Sequence, residues 1–225
     1  MKLPDLFFVL YSLSDLVEVT ALQQSNTSDL RSKVDILIID DEDLAAEDYL
    51  KKNGFRITHK RDIDTIKDIV PYSVILCDIR GVGQNLGSSK EGAFIIKEIK
   101  TSYPNKQVIA YTGSSYDPAY NDYLKLADTV INKGVSIDDW VSIIDEQINH
   151  AVDATYQWEQ LRKYLLECGV STAYVAKLED KYVRAIKKKD FKDLVSLANN
   201  TNEKARGILV DFASSVCAKI ILGKI

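Results

Sequence analysis

Histidine is nearly missing from this chain: His59 and His150 are the only two in 225 residues. That scarcity argues against a histidine-built metal centre and against a Ser-His-Asp triad. Cysteine is sparse and odd in number, and Cys77, Cys168 and Cys217 stand far apart. Neither a disulfide framework nor a thiolate metal site fits, and a reducing, cytoplasmic setting is expected. Long apolar runs are also missing. LFFVLYSL (6–13) is too short to span a bilayer, and Asp15 and Glu18 follow it. No small-residue cleavage site follows either, so the run is expected to be a buried helix, with no membrane contact. The glycine-rich stretch RGVGQNLGSSKEG (80–92) lacks the Gly-Lys-Ser/Thr of a P-loop. It is expected to be a flexible insertion rather than a nucleotide cradle.

What is present is unevenly charged. The chain carries a net −4, but residues 33–150 hold 14 basic and 20 acidic side chains, whereas residues 151–225 hold 13 and 9. An acidic part suited to a cation is thus followed by a mildly basic one. With 46% hydrophobic residues, the composition suits one large domain, or one typical domain plus a smaller one.

From residue 33 onward, short apolar runs alternate with amphipathic stretches. VDILIID (34–40) and YSVILCDI (72–79) are nearly all apolar, as strands buried on both faces are. FRITHK (55–60), QVIAYTG (107–113) and DTVINKG (128–134) complete a set of five strands. Helical spacing is found at 44–54, 63–70, 93–103, 116–127 and 136–152. Five strand–helix units in strict alternation predict an α/β fold with a flavodoxin-like five-stranded parallel sheet, order 2-1-3-4-5. Residues 4–24 and 153–222 have helical periodicity, with SNTSD (25–29) as a polar linker and Asn199–Asn202 as a turn. The expected organisation is an N-terminal helix and linker (1–32), the α/β domain (33–152) and an α-helical module (153–225). The apolar stripes of 4–24 and of Phe212, Val216 and Ile220 are expected to pack together, within one chain or across a homodimer.

Ligands of such a sheet gather at the carboxyl ends of its strands. There the sequence puts Asp40 and Asp41 after strand 1, Asp78 at strand 3, Thr112 at strand 4 and Lys133 at strand 5. Three carboxylates crowded together repel and call for a cation, and Mg²⁺, a hard divalent ion taking oxygen ligands, meets that need. Lys133 adds a fixed positive charge and Thr112 a hydroxyl, together a clamp for a phosphoryl group. Each residue also has a plainer reading. Asp40-Asp41 fits a helix entry, Asp78 a strand-end cap, Lys133 an exposed lysine and Thr112-Gly113 a turn. The Arg80 side chain is first of all an exposed loop arginine, and Cys77 points away from Asp78 into the core by strand alternation.

The segments IIDDE (38–42), VILCD (74–78), AYTG (110–113) and INKG (131–134) resemble the signature segments of receiver domains of two-component response regulators. The resemblance covers about half the chain. It implies phosphorylation of Asp78 from the phosphohistidine of a histidine kinase or phosphotransfer protein. It further implies direct Mg²⁺ ligation by Asp41 and Asp78, ligation by Asp40 through water, and the backbone carbonyl of Arg80 as another ligand. Lys133 and Thr112 would hold the phosphoryl group. The sequence departs from the family in a longer loop after Asp78, in Gly134 where proline is usual, and in Val130 where many members carry an aromatic.

The implied function is a signalling switch that accepts a phosphoryl group on itself, without turnover, and acts through helical contacts with a protein partner or a second copy. A haloacid-dehalogenase phosphatase is disfavoured because Ile79-Arg80 follows Asp78 where a second aspartate is needed. A pseudo-receiver that is never phosphorylated is a further alternative. LRKYLLECGVSTAYVAKL (161–178) resembles the centre of a helix-turn-helix, which makes a DNA-binding regulator the runner-up. Leu165 stands where that motif wants a small residue and the second helix runs on through Lys187-Lys188-Lys189, so DNA is the less favoured partner.

Overall fold

The computed structural model describes residues 11–16, 27–113 and 120–224. Five strands form one parallel sheet: β1 (Asp35–Ile39), β2 (Arg56–Lys60), β3 (Val74–Asp78), β4 (Gln107–Thr112) and β5 (Thr129–Asn132). Their order is β2-β1-β3-β4-β5, the flavodoxin-like order expected from the alternation. β3 is buried along its whole length, while the edge strands β2 and β5 alternate between more and less exposed positions. Burial on two faces is what makes the central strands continuous apolar runs.

Strand alternation divides the domain core in two. Ile36, Ile38, Val74, Leu76, Ile109 and Tyr111 point to one face, covered by α1 (Thr27–Arg31), α2 (Glu47–Lys52) and α5 (Ile137–Val152). Leu37, Ile39, Ile75, Cys77, Val108 and Ala110 point to the other, under α3 (Glu91–Ser102) and α4 (Asn121–Leu124). Cys77 is therefore core, and burial raises its thiol well above the ordinary range.

Several elements differ from the sequence reading. Residues 63–70 give a 3-10 turn at Ile66–Ile69 rather than an α-helix. A Thr65–Asp68 capping box closes its start, and Pro71, lacking an N–H, follows directly. The polar linker 25–29 overlaps a short helix, α1, whose Arg31 makes a two-pronged ion pair with Asp145 at 2.8 and 2.5 Å. Within 116–127 the described part is helical only at Asn121–Leu124, and 116–119 lie outside the described residues. Most of the helix expected at 4–24 lies outside them too. Its described part, 11–16, contains a 3-10 turn at Leu13–Leu16.

The C-terminal third folds into α6 (Ala154–Glu167), α7 (Thr172–Lys188), α8 (Lys192–Ala198), α9 (Glu203–Ser214) and α10 (Val216–Ile221). Asp153, Ser171, Asn202 and Ser215 cap four of these helices, each accepting a backbone N–H three residues on. Trp158, Tyr182, Phe191 and Phe212 stack or tilt against one another, with centroids 4.8–5.9 Å apart, in an apolar cluster of their own. Leu16 is buried in that cluster, Tyr11 and Leu13 pack against it, and the Tyr11 amide donates to Asp180 Oδ1 at 3.0 Å.

This helical unit meets the sheet at the amino ends of the strands. Cys217 and Ile220 of α10 join the apolar face of Ile36 and Val74, and Gln157 Nε2 donates to the Asn105 carbonyl at 3.1 Å. Lys106, just before β4, is buried there and donates to the carbonyls of Val70 (2.8 Å) and Tyr72 (2.5 Å). Burial lowers its amine to about 8. No helix of the described residues is long and apolar enough to cross a membrane.

Candidate functional site

The opposite end of the sheet gathers polar groups because β1, β3, β4 and β5 all finish there. Asp40 follows β1 directly, Asp78 and Thr112 are the last residues of β3 and β4, and Lys133 follows β5. Parallel pairing keeps these ends level, with Cys77 opposite Ala110 and Thr112 opposite Asn132.

Lys133 Nζ lies 2.6 Å from Asp78 Oδ2 and 3.1 Å from Asp40 Oδ2. Asp40 is fully buried and Asp78 nearly so, whereas Asp41 is exposed. A ligand atom from each of the three carboxylates falls within 4.8 Å of the others. A cleft of ≈ 210 Å³ opens over them, lined by Asp41, Glu42, Asp78, Arg80, Gly81, Thr112, Gly113 and Lys133. Asp40 lies beneath the cleft and does not line it.

Charge follows from this arrangement. Burial pushes the Asp78 carboxyl up, Lys133 pulls it back, and Asp40 adds repulsion, leaving it raised overall. Burial lowers the Lys133 amine, but its bonds to Asp78 and Asp40 outweigh that and leave it raised. Backbone amides add to the cluster: Glu42 N–H donates to Asp40 Oδ1 at 2.9 Å, and Ile79 N–H to Asp78 Oδ1 at 2.6 Å.

Two glycines allow close approach at the site, one to a carboxylate and one to a backbone carbonyl. A Cβ at Gly81, whose φ is +80°, would sit 2.3 Å from the Asp41 carboxylate, and one at Gly92 would sit 1.8 Å from the Asp78 carbonyl. The loop between them is not free. Gly83 and Asn85 amides donate to Asp62 at 2.7 and 3.1 Å, and Glu91 accepts from the Gly81 amide and the Tyr120 hydroxyl. The insertion expected to be flexible is held by Asp62, a residue with no motif to mark it.

The structure thus brings Asp41, Asp78, Thr112 and Lys133 to one cleft, with Asp40 directly beneath it. Arg80 also lines it, and its backbone amide lies 3.4 Å from Asp78 Oδ1. Two neighbours escaped the sequence reading. Tyr111 donates its hydroxyl to Asp40 Oδ2 at 2.9 Å, and the His59 ring contacts the Asp40 carbonyl at 2.9 Å and Glu47 at 2.6 Å. The only signal for Tyr111 was its place one before Thr112. His59 had none beyond lying on β2 beside β1.

The donor set fits a hard divalent cation, since closely spaced carboxylates at an open cleft are what Mg²⁺ takes as ligands beside water. No family model matches the chain, and no curated protein matches it. Solved structures do match. A CheY-like response regulator receiver domain protein from Methanospirillum hungatei JF-1 shares 20% identity over 52% of this chain and 95% of that one, TM-score 0.43. A response regulator from Thermotoga maritima shares 16% over 51% and 97%, TM-score 0.42. NtrX from Brucella abortus shares 20% over 52% of this chain, TM-score 0.43, and the match spans only 27% of NtrX. The strand order gives residues 35–152 a flavodoxin-like α/β fold, with extra helices beyond it.

Proposed function

We infer that this chain is a signalling switch whose Asp78 accepts a phosphoryl group. The observation that carries the reading is the Lys133–Asp78 contact of 2.6 Å, in a cleft beside a cluster of three carboxylates. A carboxylate oxygen of Asp78 attacks the phosphorus of a phosphohistidine on a histidine kinase or phosphotransfer protein. The P–N bond breaks and the ring nitrogen leaves with its electron pair. Lys133, within reach of both Asp78 and Asp40, supplies positive charge to the incoming oxygens, and Thr112 supplies a hydroxyl. Asp40, Asp41 and Asp78, with the Arg80 carbonyl, would hold Mg²⁺, which when bound offsets negative charge as the phosphoryl group arrives. The modified residue is the chain's own, so this is a phosphoacceptor rather than an enzyme with turnover. It acts in the cytoplasm, and the helical unit passes its state to a protein partner or a second copy.

The test is intact mass after incubation with acetyl phosphate or phosphoramidate in Mg²⁺. One phosphoryl group is expected, lost in hydroxylamine as an acyl phosphate is, and absent from Asp78→Asn. An adduct that persists in Asp78→Asn removes Asp78 from the role. Wild type that gains none from either donor makes the chain a pseudo-receiver.

A further inference from the structure

Tyr111 takes no part in the phosphoryl chemistry above, yet its hydroxyl ends inside the acidic cluster. It stands opposite Asp78 in the sheet register, and its carbonyl accepts from the Ile79 amide at 3.2 Å. Its side chain points to the face covered by α5, where the ring meets Trp140 edge-on with centroids 5.5 Å apart. From there the hydroxyl reaches Asp40 Oδ2 at 2.9 Å, and Lys133 Nζ lies 5.4 Å from the ring centroid.

Asp40 has no contact with solvent, so its lone pairs must be filled by the protein. Oδ1 is served by the Glu42 amide, Oδ2 by Tyr111, and Lys133 reaches both oxygens. Lys133 is shared with Asp78, which leaves Tyr111, among the described residues, as the side chain that serves the Asp40 carboxylate alone. A phenol is suited to this place. It fixes a carboxylate's rotation without adding a positive charge that would repel a cation.

We propose that Tyr111 is a positioning residue of the cation site: its hydroxyl fixes the Asp40 carboxylate and thereby sets the strength of divalent-cation binding. The proposal rests on the cation-site reading above. Tyr111→Phe removes the hydroxyl and keeps the ring against Trp140. Calorimetric titration with Mg²⁺ alone should show Kd weakened about tenfold, the loss expected when one hydrogen bond to a buried carboxylate is removed. The tryptophan bands of the near-ultraviolet circular dichroism should be unchanged, because the ring at position 111 stays packed on Trp140. Asp40→Asn should also weaken Mg²⁺ binding, and adding Tyr111→Phe to it should cost nothing more, since the hydroxyl then has no carboxylate to hold.

Wild-type affinity in Tyr111→Phe overturns the proposal and leaves the cation site standing. Losses that multiply in the double variant overturn it as well, because the hydroxyl would then act elsewhere. A Tyr111→Phe chain that does not fold would assign the hydroxyl to the core and not to the site. Wild type that binds no Mg²⁺ overturns the cation reading and this proposal with it.

Discussion

Replacing Lys133 by methionine keeps the stem and removes a side-chain cation that reaches both Asp40 and Asp78. Two carboxylates, 0% and 6% exposed, are then left facing each other unpaired. Removing one partner of a buried ion pair costs about 3–5 kcal/mol. Lys133 is 24% exposed, so water already screens part of the interaction, and the expected loss is about 2–3 kcal/mol in chelator. That is a large share of the stability of an ordinary domain. Millimolar Mg²⁺ should return much of it by supplying the missing positive charge beside the same carboxylates. The assay is urea denaturation of wild type and Lys133→Met with EDTA and with Mg²⁺, read as the change in midpoint. A deficit that is equal in the two buffers would refute the reasoning, because the lysine would then act through packing. A deficit under about 1 kcal/mol in EDTA would refute it too, because the carboxylates would be relieved by solvent.

Two further outcomes follow. Asp41→Ala removes the exposed member of the carboxylate set, so the Mg²⁺-dependent rise in melting temperature should vanish, where wild type gains about 1.4 kcal/mol at tenfold excess over Kd. Lys106, whose amine burial lowers from 10.5 to about 8, binds fewer protons folded than unfolded between those values. Wild type should therefore gain stability relative to Lys106→Met as pH rises from about 8 to about 10, on the order of 3 kcal/mol in all, measured by urea denaturation at each pH. A flat difference would mean that burial does not hold the amine below its ordinary range.

The sheet and its order were legible because buried parallel strands are written as apolar runs, and each run ends in a polar residue of distinct chemistry. Asp78 and Lys133 could be paired from their places in the sequence alone, since strand ends in a parallel sheet lie level. Side chains that act across the sheet were less legible. Tyr111 sits inside an apolar run and looks like one more core aromatic, and nothing local aims its hydroxyl at a residue 71 positions away. The helix at Thr27–Arg31 was hidden for a similar reason. Its composition is that of a linker, and what anchors it is Asp145, 114 positions on. The loop after Asp78 looked unanchored because its tether, Asp62, precedes it in a different connection.

The helical unit and the carboxylate cleft occupy opposite ends of the sheet, and α5 runs between them. Its 16 residues make a rod about 24 Å long, starting near Lys133 and ending where α6 begins. One residue, Asp153, separates the two helices. Its amide closes α5 on Asn149, and its side chain caps α6 through the Tyr156 amide. A joint of one residue contains a single pair of free backbone torsions, and here both sides of it are tied. It has no slack, so any turn of α5 about its own axis must appear as a swing of α6.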